Sequence, residues 1–531
     1  MLWKKESSDQ NAMYVDLFQS TSRYTEPAET LYILHKMEKM HLNSNGLYYK
    51  NDIIANGFRQ HGNRTFEKLQ FINAIEWYNK SLCFAENGSE TIGLAYANRA
   101  SCFLKLKMFK NCLADIELAK QNDYPAHLFA KLEKRKIQCL SRMENEEDDS
   151  EICEPKLDFE INEKFPSLAN VLDIQINDEF GRHIVATEDI EIGKTVMVDQ
   201  CYIGVTKYDH YKSCKICLKQ NQNLIPCKKC ISSMFCFDCK ENDLHEIECN
   251  MNFGCPAGYK FMDVVRSISL AKNAFANADE LITFVEDMLP SNTLELPSNL
   301  VDSRSKYRTF FKLCPDLPTN ELYLQQAYLF YQLLLEQKEM QTFFHTTAHK
   351  RFLMQLVHHH ICVILRGAYN KRTAAIGGVN ITDTYINLIA KNLKHSCIPN
   401  VCYILKNGFI TGITTRPIKK NEQLFISYTI LDTFHSEAER RATFKDRNIN
   451  CKCERCSFKT LPSNLQMISD SNFKFIEKNF KIQTLCNGFY VRPRIELMKE
   501  KCFSFLKMYG QMKWSIEMDR ITNVLSYLLN E

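Results

Sequence analysis

The sequence has little net charge, no long apolar run and no recognisable secretory signal. Its 67 Lys and Arg residues nearly balance 63 Asp and Glu residues, so the formal net charge is only +4. Such a balance gives no general electrostatic footprint for binding nucleic acid or a membrane. We find no run of about 18 apolar residues and expect no transmembrane helix. The polar, charged start at Met1 to Gln10 is unlike a signal peptide and predicts an intracellular protein.

What the chain does have is length and cysteine. Its 531 residues predict several domains, and its 45% apolar and 24% charged residues are typical of globular proteins. Disulfides are one possible use for its 23 cysteines. Paired Cys-x-x-Cys spacings without a secretory signal favour metal ligation in a reducing compartment instead.

The strongest pattern is a group of potential zinc ligands between residues 214 and 249. Eight ligands make two four-coordinate sites without an open position, which is typical of structural zinc. A module this small has little core, so metal binding would supply much of its folding energy. The eight predicted ligands are Cys214, Cys217, Cys227, Cys230, Cys236, Cys239, His245 and Cys249.

A second cysteine cluster lies later in the chain and lacks a fourth ligand. Its three thiolates come from Cys451, Cys453 and Cys456. The nearest upstream cysteine in a distinctive local sequence is Cys397, in the segment KHSCIPN at 394–400. If Cys397 completes the site, zinc ties this segment to the later cysteines and closes a pocket. Tyr428 lies between the two segments in sequence.

Residues 51–143 contain a repeat of helical type. Gly62 and Phe71 of the first unit align with Ala100 and Phe109 of the second. Small residues at helix crossings and aromatic residues between them resemble the tetratricopeptide (TPR) repeat, whose usual period is about 34 residues. A third helical start at 126–143 is either a further unit or a cap, and an ordinary helical hairpin is the simpler alternative.

Polar residues on the inner helices of the repeats form a candidate peptide clamp. Some TPR modules hold a peptide's terminal carboxylate with several converging donors, among which Arg binds bidentately. The alternative is an ordinary solvated helix face. A clamp would predict docking of an acidic C-terminal tail, such as that of a heat-shock chaperone. The residues that map onto the pattern are Arg59, Asn63, Asn98, Lys131 and Arg135.

The rest of the chain alternates between strand-like and helical patterns. Alternating apolar residues at 181–187 and 190–198, with a glycine turn, predict a β-hairpin. Residues 256–375 are mainly helical, most clearly at 323–337 and 352–365. The run at 358–360 is three histidines, but adjacent residues on a helix point in different directions and cannot easily chelate one ion. The C-terminal region is helical in pattern, with expected core residues Leu497, Phe503, Phe505, Leu506, Ile521, Leu525 and Leu528.

This order of parts resembles that of the SET and MYND domain-containing proteins. The resemblance implies an α+β multidomain fold in which a β-rich SET domain is split by a MYND zinc finger and a helical insertion. The predicted boundaries are 1–50 for an N-terminal extension, 51–143 for the TPR-like repeats, 144–165 for an acidic linker, 166–213 for the first SET part, 214–249 for the finger, 250–375 for the insertion, 376–445 for the SET core, 446–460 for a post-SET zinc site and 461–531 for C-terminal helices.

The resemblance also implies an activity, protein-lysine N-methylation with S-adenosylmethionine, and a location in nucleus and cytoplasm. Tyr428 would be the catalytic residue lining a narrow lysine channel. The cofactor contacts would be Gly181, Arg182, His183, Lys394, His395 and Tyr428. The finger ligands would interleave, Cys214, Cys217, Cys236 and Cys239 holding one zinc and Cys227, Cys230, His245 and Cys249 the other. A third zinc would be held by Cys397, Cys451, Cys453 and Cys456.

Several positions depart from the family pattern and favour an alternative. Lys394 stands where the family has Asn, and a cation there sits badly beside the cofactor's own positive charge. His359 aligns with another family Asn, and Arg447 and Ile449 with Tyr and Phe. The alternative is a catalytically impaired adaptor, whose repeats and finger bind protein partners, proline-rich peptides at the finger among them.

Overall fold

The computed structural model describes most of the chain after the predicted N-terminal extension. The described residues are 50–150, 154–206, 211–220, 223–249, 261–289, 300–313, 321–376, 379–428, 438, 440, 441, 449–457, 461–481 and 492–530. Within them, no helix is both long enough and apolar enough to cross a membrane. The expected departure at Arg447 lies outside them.

The first described elements are helices that pack in consecutive pairs. They are α1 (Asp52–Glu67), α2 (Phe71–Phe84), α3 (Glu90–Lys105), α4 (Phe109–Lys120) and, after a 3-10 turn at Ala126–Leu128, α5 (Phe129–Met143). Asn51 and Ser89 begin α1 and α3, because their side chains accept hydrogen bonds from backbone N–H groups of the first turn. Gly62 lies where α1 crosses α2, and any Cβ there would collide with the ring of Tyr78.

Short strands build small sheets from two separate parts of the chain. The strands are β1 (Leu172–Asn177), β2 (Gly181–Ala186), β3 (Thr195–Gln200), β4 (Ile203–Val205), β5 (Ile225–Pro226), β6 (Met234–Phe235), β7 (Tyr369–Ile376), β8 (Val379–Ile386), β9 (Lys394–His395), β10 (Val401–Lys406), β11 (Phe409–Thr414) and β12 (Phe425–Ile426). The sheet orders are β1-β2, β10-β11-β3, β4-β8-β7, β5-β6 and β12-β9. Only the β12-β9 pair is parallel among these pairings.

The expected hairpin between 181–187 and 190–198 is wrong in its partners. Strand β2 pairs with β1 through a turn that ends at Gly181, and β3 pairs with β11. Between β2 and β3 the chain pairs with the segment around Ile418. Ile190 and Ile418 exchange two backbone hydrogen bonds of 2.8 and 2.9 Å. The alternation of apolar residues predicts strands correctly but does not identify their partners.

A helical region separates the two groups of strands. Its helices are α6 (Leu244–Glu248), α7 (Phe261–Asn273), α8 (Ala278–Met288), α9 (Ser303–Phe311), α10 (Glu321–Leu335), α11 (Lys338–Phe343) and α12 (Thr347–Gly367). Helices α10 and α12 cover most of the two segments that the sequence predicts as helical. Helix α12 packs against α7 to α10, and this core also includes Ile203 and Val205 of β4.

The C-terminal helices form a further core. They are α13 (Glu454–Ser457), α14 (Leu465–Ser469), α15 (Ser471–Asn479), α16 (Arg492–Tyr509) and α17 (Ile516–Leu529). The expected core residues are buried or half-buried with one exception. Leu497 is 40% exposed, and the buried position beside it is Met498. The face of α16 that packs on α15 and α17 includes Met498, Phe505 and Leu506, and Leu497 lies beside that face.

The helix pairs and the cysteine-rich segment 211–249 share one core. Arg99 of α3 is fully buried and donates two hydrogen bonds of 2.7 Å to Asp115 of α4. Its remaining donors reach Asn79 of α2 and, at 2.9 Å, the Leu224 carbonyl of the cysteine-rich segment. Asn223 completes the network by donating to Asp115 at 2.7 Å. A buried charge satisfied from both sides joins the two regions.

The cysteine-rich segment also touches the β10-β11 hairpin on another side. Asn407 and Gly408 form its two-residue turn, with φ values of +53° and +81°. The Asn407 side chain accepts a hydrogen bond from the backbone N–H of Gln220 at 3.2 Å. The backbone of Gly408 lies against the carbonyl oxygen of Cys217. The cysteine-rich segment thus contacts both the helix pairs and the β10-β11-β3 sheet.

Candidate active site and metal centres

The structure brings the predicted metal ligands together in three clusters. In each cluster the ligand atoms lie within 4.8 Å of one another. No other group of this kind is found among the described residues. The clusters are Cys214, Cys217, Cys236 and Cys239; Cys227, Cys230, His245 and Cys249; and Cys397, Cys451, Cys453 and Cys456.

The distances within the clusters fit tetrahedral zinc. Four sulfurs at about 2.3 Å from a central zinc lie about 3.8 Å from one another. The observed Sγ–Sγ distances are 3.7 Å between Cys217 and Cys236, and 3.6 Å between Cys227 and Cys249. Disulfide sulfurs would lie about 2.05 Å apart. The donor sets therefore suit a closed, zinc-binding site better than a disulfide.

The third cluster joins two segments that are far apart in sequence. Cys397 Sγ lies 3.9 Å from Cys451 Sγ and 3.6 Å from Cys456 Sγ. The side chain between the last two cysteines, Arg455, is buried and pairs with Asp519 of α17 at 3.0 Å. The cluster thus ties β9 and the segment after it to the C-terminal helices.

The predicted cofactor contacts come from strands that run side by side. Leu424 donates a backbone hydrogen bond of 2.9 Å to Ile184 of β2. One residue later, Phe425 of β12 pairs in parallel with Lys394 of β9. Strands β2 and β9 therefore border the same segment from opposite sides. We call the set of residues Gly181, Arg182, Lys394, His395 and Tyr428 the candidate pocket.

Tyr428 is held in the candidate pocket by its neighbours. Its hydroxyl donates a hydrogen bond of 2.6 Å to the Leu393 carbonyl, and its backbone N–H donates to His395 Nδ1 at 3.1 Å. The Lys391 ammonium lies 5.4 Å from the centre of the Tyr428 ring. Because the hydroxyl proton is directed at Leu393, the oxygen keeps lone pairs that can accept a further hydrogen bond.

The β1-β2 turn forms the side of the candidate pocket opposite β9. Gly181 has a φ of +60°, and a Cβ there would meet no atom within 4 Å. The constraint is therefore backbone conformation and not crowding. The ring of His183 is buried and its Nδ1 lies 2.9 Å from the Gly181 carbonyl. This contact directs the His183 side chain at its own turn.

The candidate pocket is electrostatically positive. Burial lowers the pKa of Lys394 to about 8, and repulsion from Arg182 adds to the shift. Burial also lowers the pKa of Arg182. Lys312, which follows α9, has its pKa lowered by burial and by Arg308 and Arg182. Arg182 thus lowers the pKa values of two other cations, Lys394 and Lys312.

The three histidines of α12 are core residues. His360 contacts the Ser267 hydroxyl at 2.8 Å and the Tyr307 hydroxyl at 3.2 Å. His359 lies 2.8 Å from the Phe311 carbonyl and stacks on the Phe311 ring at 3.8 Å. Each ring has its own partners, and the run forms none of the metal clusters.

The predicted clamp residues gather around Tyr78, except for Lys131. Asn63 Oδ1 accepts hydrogen bonds from the Tyr78 hydroxyl at 2.9 Å and from Asn98 at 2.8 Å. Burial raises the pKa of Tyr78, and the Arg59 and Arg135 guanidinium groups oppose that shift. Arg135 also donates to the Ala97 carbonyl at 2.5 Å. The Lys131 side chain is exposed.

Sequence reasoning misses the residues that join the cysteine-rich segment to the helix pairs. Arg99 and Asp115 occur where a helical repeat commonly has polar residues, and nothing in their spacing shows a partner outside the repeat. The one available signal is Asn223, a polar residue between two cysteine pairs that is not itself a metal ligand.

Comparison with known proteins supports a common family. A family model described as the SET domain matches residues 181–429. Protein-lysine N-methyltransferase SMYD4 of Danio rerio is 25% identical over 226 residues, which cover 38% of this chain and 30% of the relative. The protein of the same name in Mus musculus is 23% identical over 359 residues, covering 54% of this chain and 44% of the relative.

A third relative matches over most of its own length. It is a SET and MYND domain-containing protein of Dictyostelium discoideum, 23% identical over 380 residues, covering 62% of this chain and 91% of the relative. The chain spans less than half the length of the two vertebrate relatives. The SET match includes Gly181, Lys394 and Tyr428, and the cysteine clusters lie within it or just beyond it. Residues 181–429 therefore match the SET domain, and the chain as a whole is similar to SET and MYND domain-containing proteins.

Proposed function

We propose that the chain is a protein-lysine N-methyltransferase that uses S-adenosylmethionine. The observation that carries the proposal is the position of Tyr428, whose hydroxyl is fixed on the Leu393 carbonyl beside strands β2 and β9. The named relatives that are called lysine methyltransferases support the same reaction class. Methyl transfer needs positioning more than acid–base or metal chemistry, and a fixed tyrosine oxygen provides it.

The chain's own residues have distinct tasks in this proposal. S-adenosylmethionine supplies the methyl group on a sulfonium. Arg182 would bind the cofactor's carboxylate, and the backbone at 394–395 would contact its adenosine portion. The Tyr428 oxygen would accept a hydrogen bond from the substrate lysine amine and hold its lone pair toward the methyl carbon. Zinc at the third cluster would keep the segment that carries Lys394 and His395 in place.

A domain architecture is proposed together with this activity. We propose that α1 to α5 are TPR-like repeats and that the finger at 214–249 and the helical insertion split the SET domain. Support comes from the aligned helix pairs and from the SET match that begins before the finger and ends after the insertion. Three bound zinc ions are expected, one in each cluster.

The test is cofactor binding combined with transfer. Calorimetric titration of the full chain with S-adenosylmethionine should show binding, and Tyr428→Phe should retain binding while losing about a hundredfold in methyl transfer. Tyr403→Phe, a change of the same kind on β10, should keep its transfer rate. If millimolar S-adenosylmethionine produces neither a heat of binding nor a shift in the unfolding temperature, the proposed enzyme activity is rejected.

The positive candidate pocket favours one second function, a catalytically impaired adaptor. Lys394 introduces a cation where the resemblance implies Asn, and burial together with Arg182 lowers the pKa of that cation to about 8. In that function the repeats and the finger bind protein partners. An adaptor would show no cofactor binding while its peptide binding remains intact.

For partner binding we propose that the clamp holds an acidic peptide by its terminal carboxylate. Asn63, Asn98, Arg59 and Arg135 gather around Tyr78. A bound carboxylate would take the place of the acceptors that the two guanidinium groups now use, Asn56 for Arg59 and the Ala97 carbonyl for Arg135. A peptide with a free, acidic C-terminus should bind, and the same peptide with an amidated C-terminus should not. Arg135→Glu should abolish binding of the free-acid form. Equal affinity for the free-acid and the amidated peptide would contradict the clamp hypothesis.

For the finger we propose a proline-rich peptide as ligand. The cysteine-rich segment shares a core with the helix pairs, but its Phe237 is 44% exposed. An exposed aromatic ring is the usual platform for a proline-rich segment. Phe237→Ala should remove binding of such a peptide without loss of zinc.

A further inference from the structure

The ammonium group of Lys80 lies against two aromatic rings that come from different parts of the chain. Its Nζ is 4.2 Å from the centre of the Trp77 ring on α2 and 5.6 Å from that of the Tyr211 ring, which precedes the finger. Both distances are within the range of about 6 Å over which a ring face attracts a cation. The same Nζ lies 2.8 Å from a carboxylate oxygen of Glu76. We call Glu76, Trp77 and Tyr211 the cation cage.

Contacts outside the cation cage hold its two rings in place. The Trp77 ring packs on the ring of His61 from α1, with the ring centres 4.1 Å apart. The Tyr211 hydroxyl donates a hydrogen bond of 3.2 Å to the Ile231 carbonyl of the cysteine-rich segment. The backbone carbonyl of Tyr211 accepts a hydrogen bond of 2.6 Å from the Asn79 side chain on α2. The positions of both rings are therefore fixed by partners other than Lys80.

The side chain of Lys80 can leave the cation cage at low cost. Lys80 and Glu76 are four residues apart on α2, and their side chains are 20% and 25% exposed. An ion pair so close to water contributes little to stability, and holding a long lysine side chain in one position costs conformational entropy. Glu76 retains a second partner, Lys212 at 3.4 Å, after Lys80 has moved. Lys80 therefore occupies the cage as a competitor that a suitable ligand can replace.

A cage of this composition favours a methylated ammonium group. Ring faces attract any cation, and N-methyl groups add apolar contact with the rings while reducing the hydration that is lost on binding. The Glu76 carboxylate requires an N–H donor, which mono- and dimethyllysine keep and trimethyllysine lacks. We propose that Glu76, Trp77 and Tyr211 bind a mono- or dimethylated lysine side chain of another protein in place of Lys80. The cage shares no residue with the candidate pocket, so the proposal does not depend on methyl transfer by this chain.

The test measures, by calorimetry, how the full zinc-loaded chain binds a short peptide. The probe is a glycine peptide with one central dimethyllysine, acetylated and amidated at its ends so that it offers no carboxylate to the predicted clamp. Lys80→Ala should bind the probe about tenfold more tightly than the wild type, as expected if Lys80 occupies the cage about 90% of the time. In the same variant, the unmethylated and the trimethylated peptide should each bind about threefold or more weakly than the probe.

Further variants separate the cation cage from other sites. Combined with Lys80→Ala, Trp77→Leu should weaken probe binding about tenfold or more, and Trp77→Phe, which keeps a smaller ring, about threefold if the leucine variant folds poorly. Lys120→Ala is the matched control, since it removes a lysine from a comparable ion pair, with Glu133 at 2.6 Å, and should leave the affinity unchanged.

Three outcomes would overturn the cation cage as a methyllysine site. The first is equal affinity of the wild type and Lys80→Ala for the probe. The second is equal affinity of Lys80→Ala for the methylated and unmethylated peptides, or binding that survives Trp77→Leu. The third is no binding of the probe to Lys80→Ala when its zinc content and unfolding temperature match those of the wild type.

Discussion

Gly408 occupies a position that other residues cannot take without strain. Its φ of +81° follows the +53° of Asn407, as a two-residue hairpin turn with two positive φ values requires. A Cβ atom at Gly408 would also collide with the carbonyl oxygen of Cys217, a ligand of the first cluster. The Asn-Gly pair is a strong sequence signal for the turn, but the contact with Cys217 has no signal in the sequence.

Replacing Gly408 with alanine should therefore destabilise the protein by about 2 to 4 kcal/mol, the sum of backbone strain and overpacking. Gly88→Ala is a matched control. Gly88 has a φ of +78°, but a Cβ there meets no atom within 4 Å, so it should lose only the strain of about 1 kcal/mol. Denaturant unfolding measures both. Equal losses of unfolding free energy in the two variants would show that the backbone at Cys217 moves to accommodate the new Cβ without destabilising the protein.

His359 gives the helical core a predictable response to acid. Burial lowers the pKa of His359 to about 4, and burial lowers the pKa values of His358 and His360 as well. The folded state therefore excludes protons that the unfolded chain binds below about pH 6.5. Stability is complete above that pH and is lost as pH falls toward the folded-state value.

The His359→Asn variant isolates this effect from acid release of zinc. Between pH 7.5 and 5.5 the wild type should lose about 1.4 kcal/mol more than the variant, since one histidine with an unfolded pKa near 6.5 becomes protonated only when unfolded. Urea unfolding at both pH values measures the difference. A constant difference between the two proteins across this range would contradict the assignment of His359 as a buried, neutral residue.

At the scale of elements, the cysteine clusters and the helix pairs are linked. The structure brings together the three ligand sets that the family resemblance implies. Local Cys-x-x-Cys spacing predicts the individual ligand pairs, but the interleaving of the pairs and the addition of Cys397 depend on the fold. The partners of β2 and β3 and the attachment of the finger to α3 and α4 depend on contacts between distant segments. Such contacts leave no periodic pattern, which is why the expected hairpin was wrong.

Removing zinc should loosen the helix pairs as well as the finger. Without metal the finger loses most of its folding energy, and the network then loses Asn223 and the Leu224 carbonyl as partners of the buried Asp115 and Arg99. Amide hydrogen exchange in α3 and α4 should rise about tenfold or more after chelation, and exchange in α8 should change little. If exchange in α3 and α4 is unchanged after verified zinc loss, the helix pairs do not depend on the metal-bound cysteine-rich segment for their stability.

At the scale of the whole molecule, one ion pair connects the third cluster to the C-terminal helices. Arg455 and Asp519 are 3% and 4% exposed, and Trp514 Nε1 donates to the same carboxylate at 3.4 Å. Burial raises the pKa of Asp519 to about 6, although Arg455 opposes the shift. The sequence predicts the cluster and the helices separately, but the residue between two cysteines is not an obvious partner for a helix.

Arg455→Met should cost about 3 to 5 kcal/mol, because it leaves a buried carboxylate without its counter-charge. Combining it with Asp519→Asn should recover part of that loss, since the double variant has no buried charge left. Thermal unfolding of the zinc-loaded single and double variants gives the coupling between the two sites. Losses that simply add would show that the pair contributes nothing of its own.

The contacts of the cysteine-rich segment also bear on how this protein can be dissected. The segment lies between α3 and α4 on one side and the β10-β11 turn on another, and it shares a core with the helices. Excising it would bare an apolar helix surface and strip Arg99 of one of its acceptors. A deletion meant to subtract a single recognition module would therefore yield an aggregation-prone remainder. Loss of activity in such a truncation would say nothing about partner recruitment, whereas single-residue changes at exposed finger positions would.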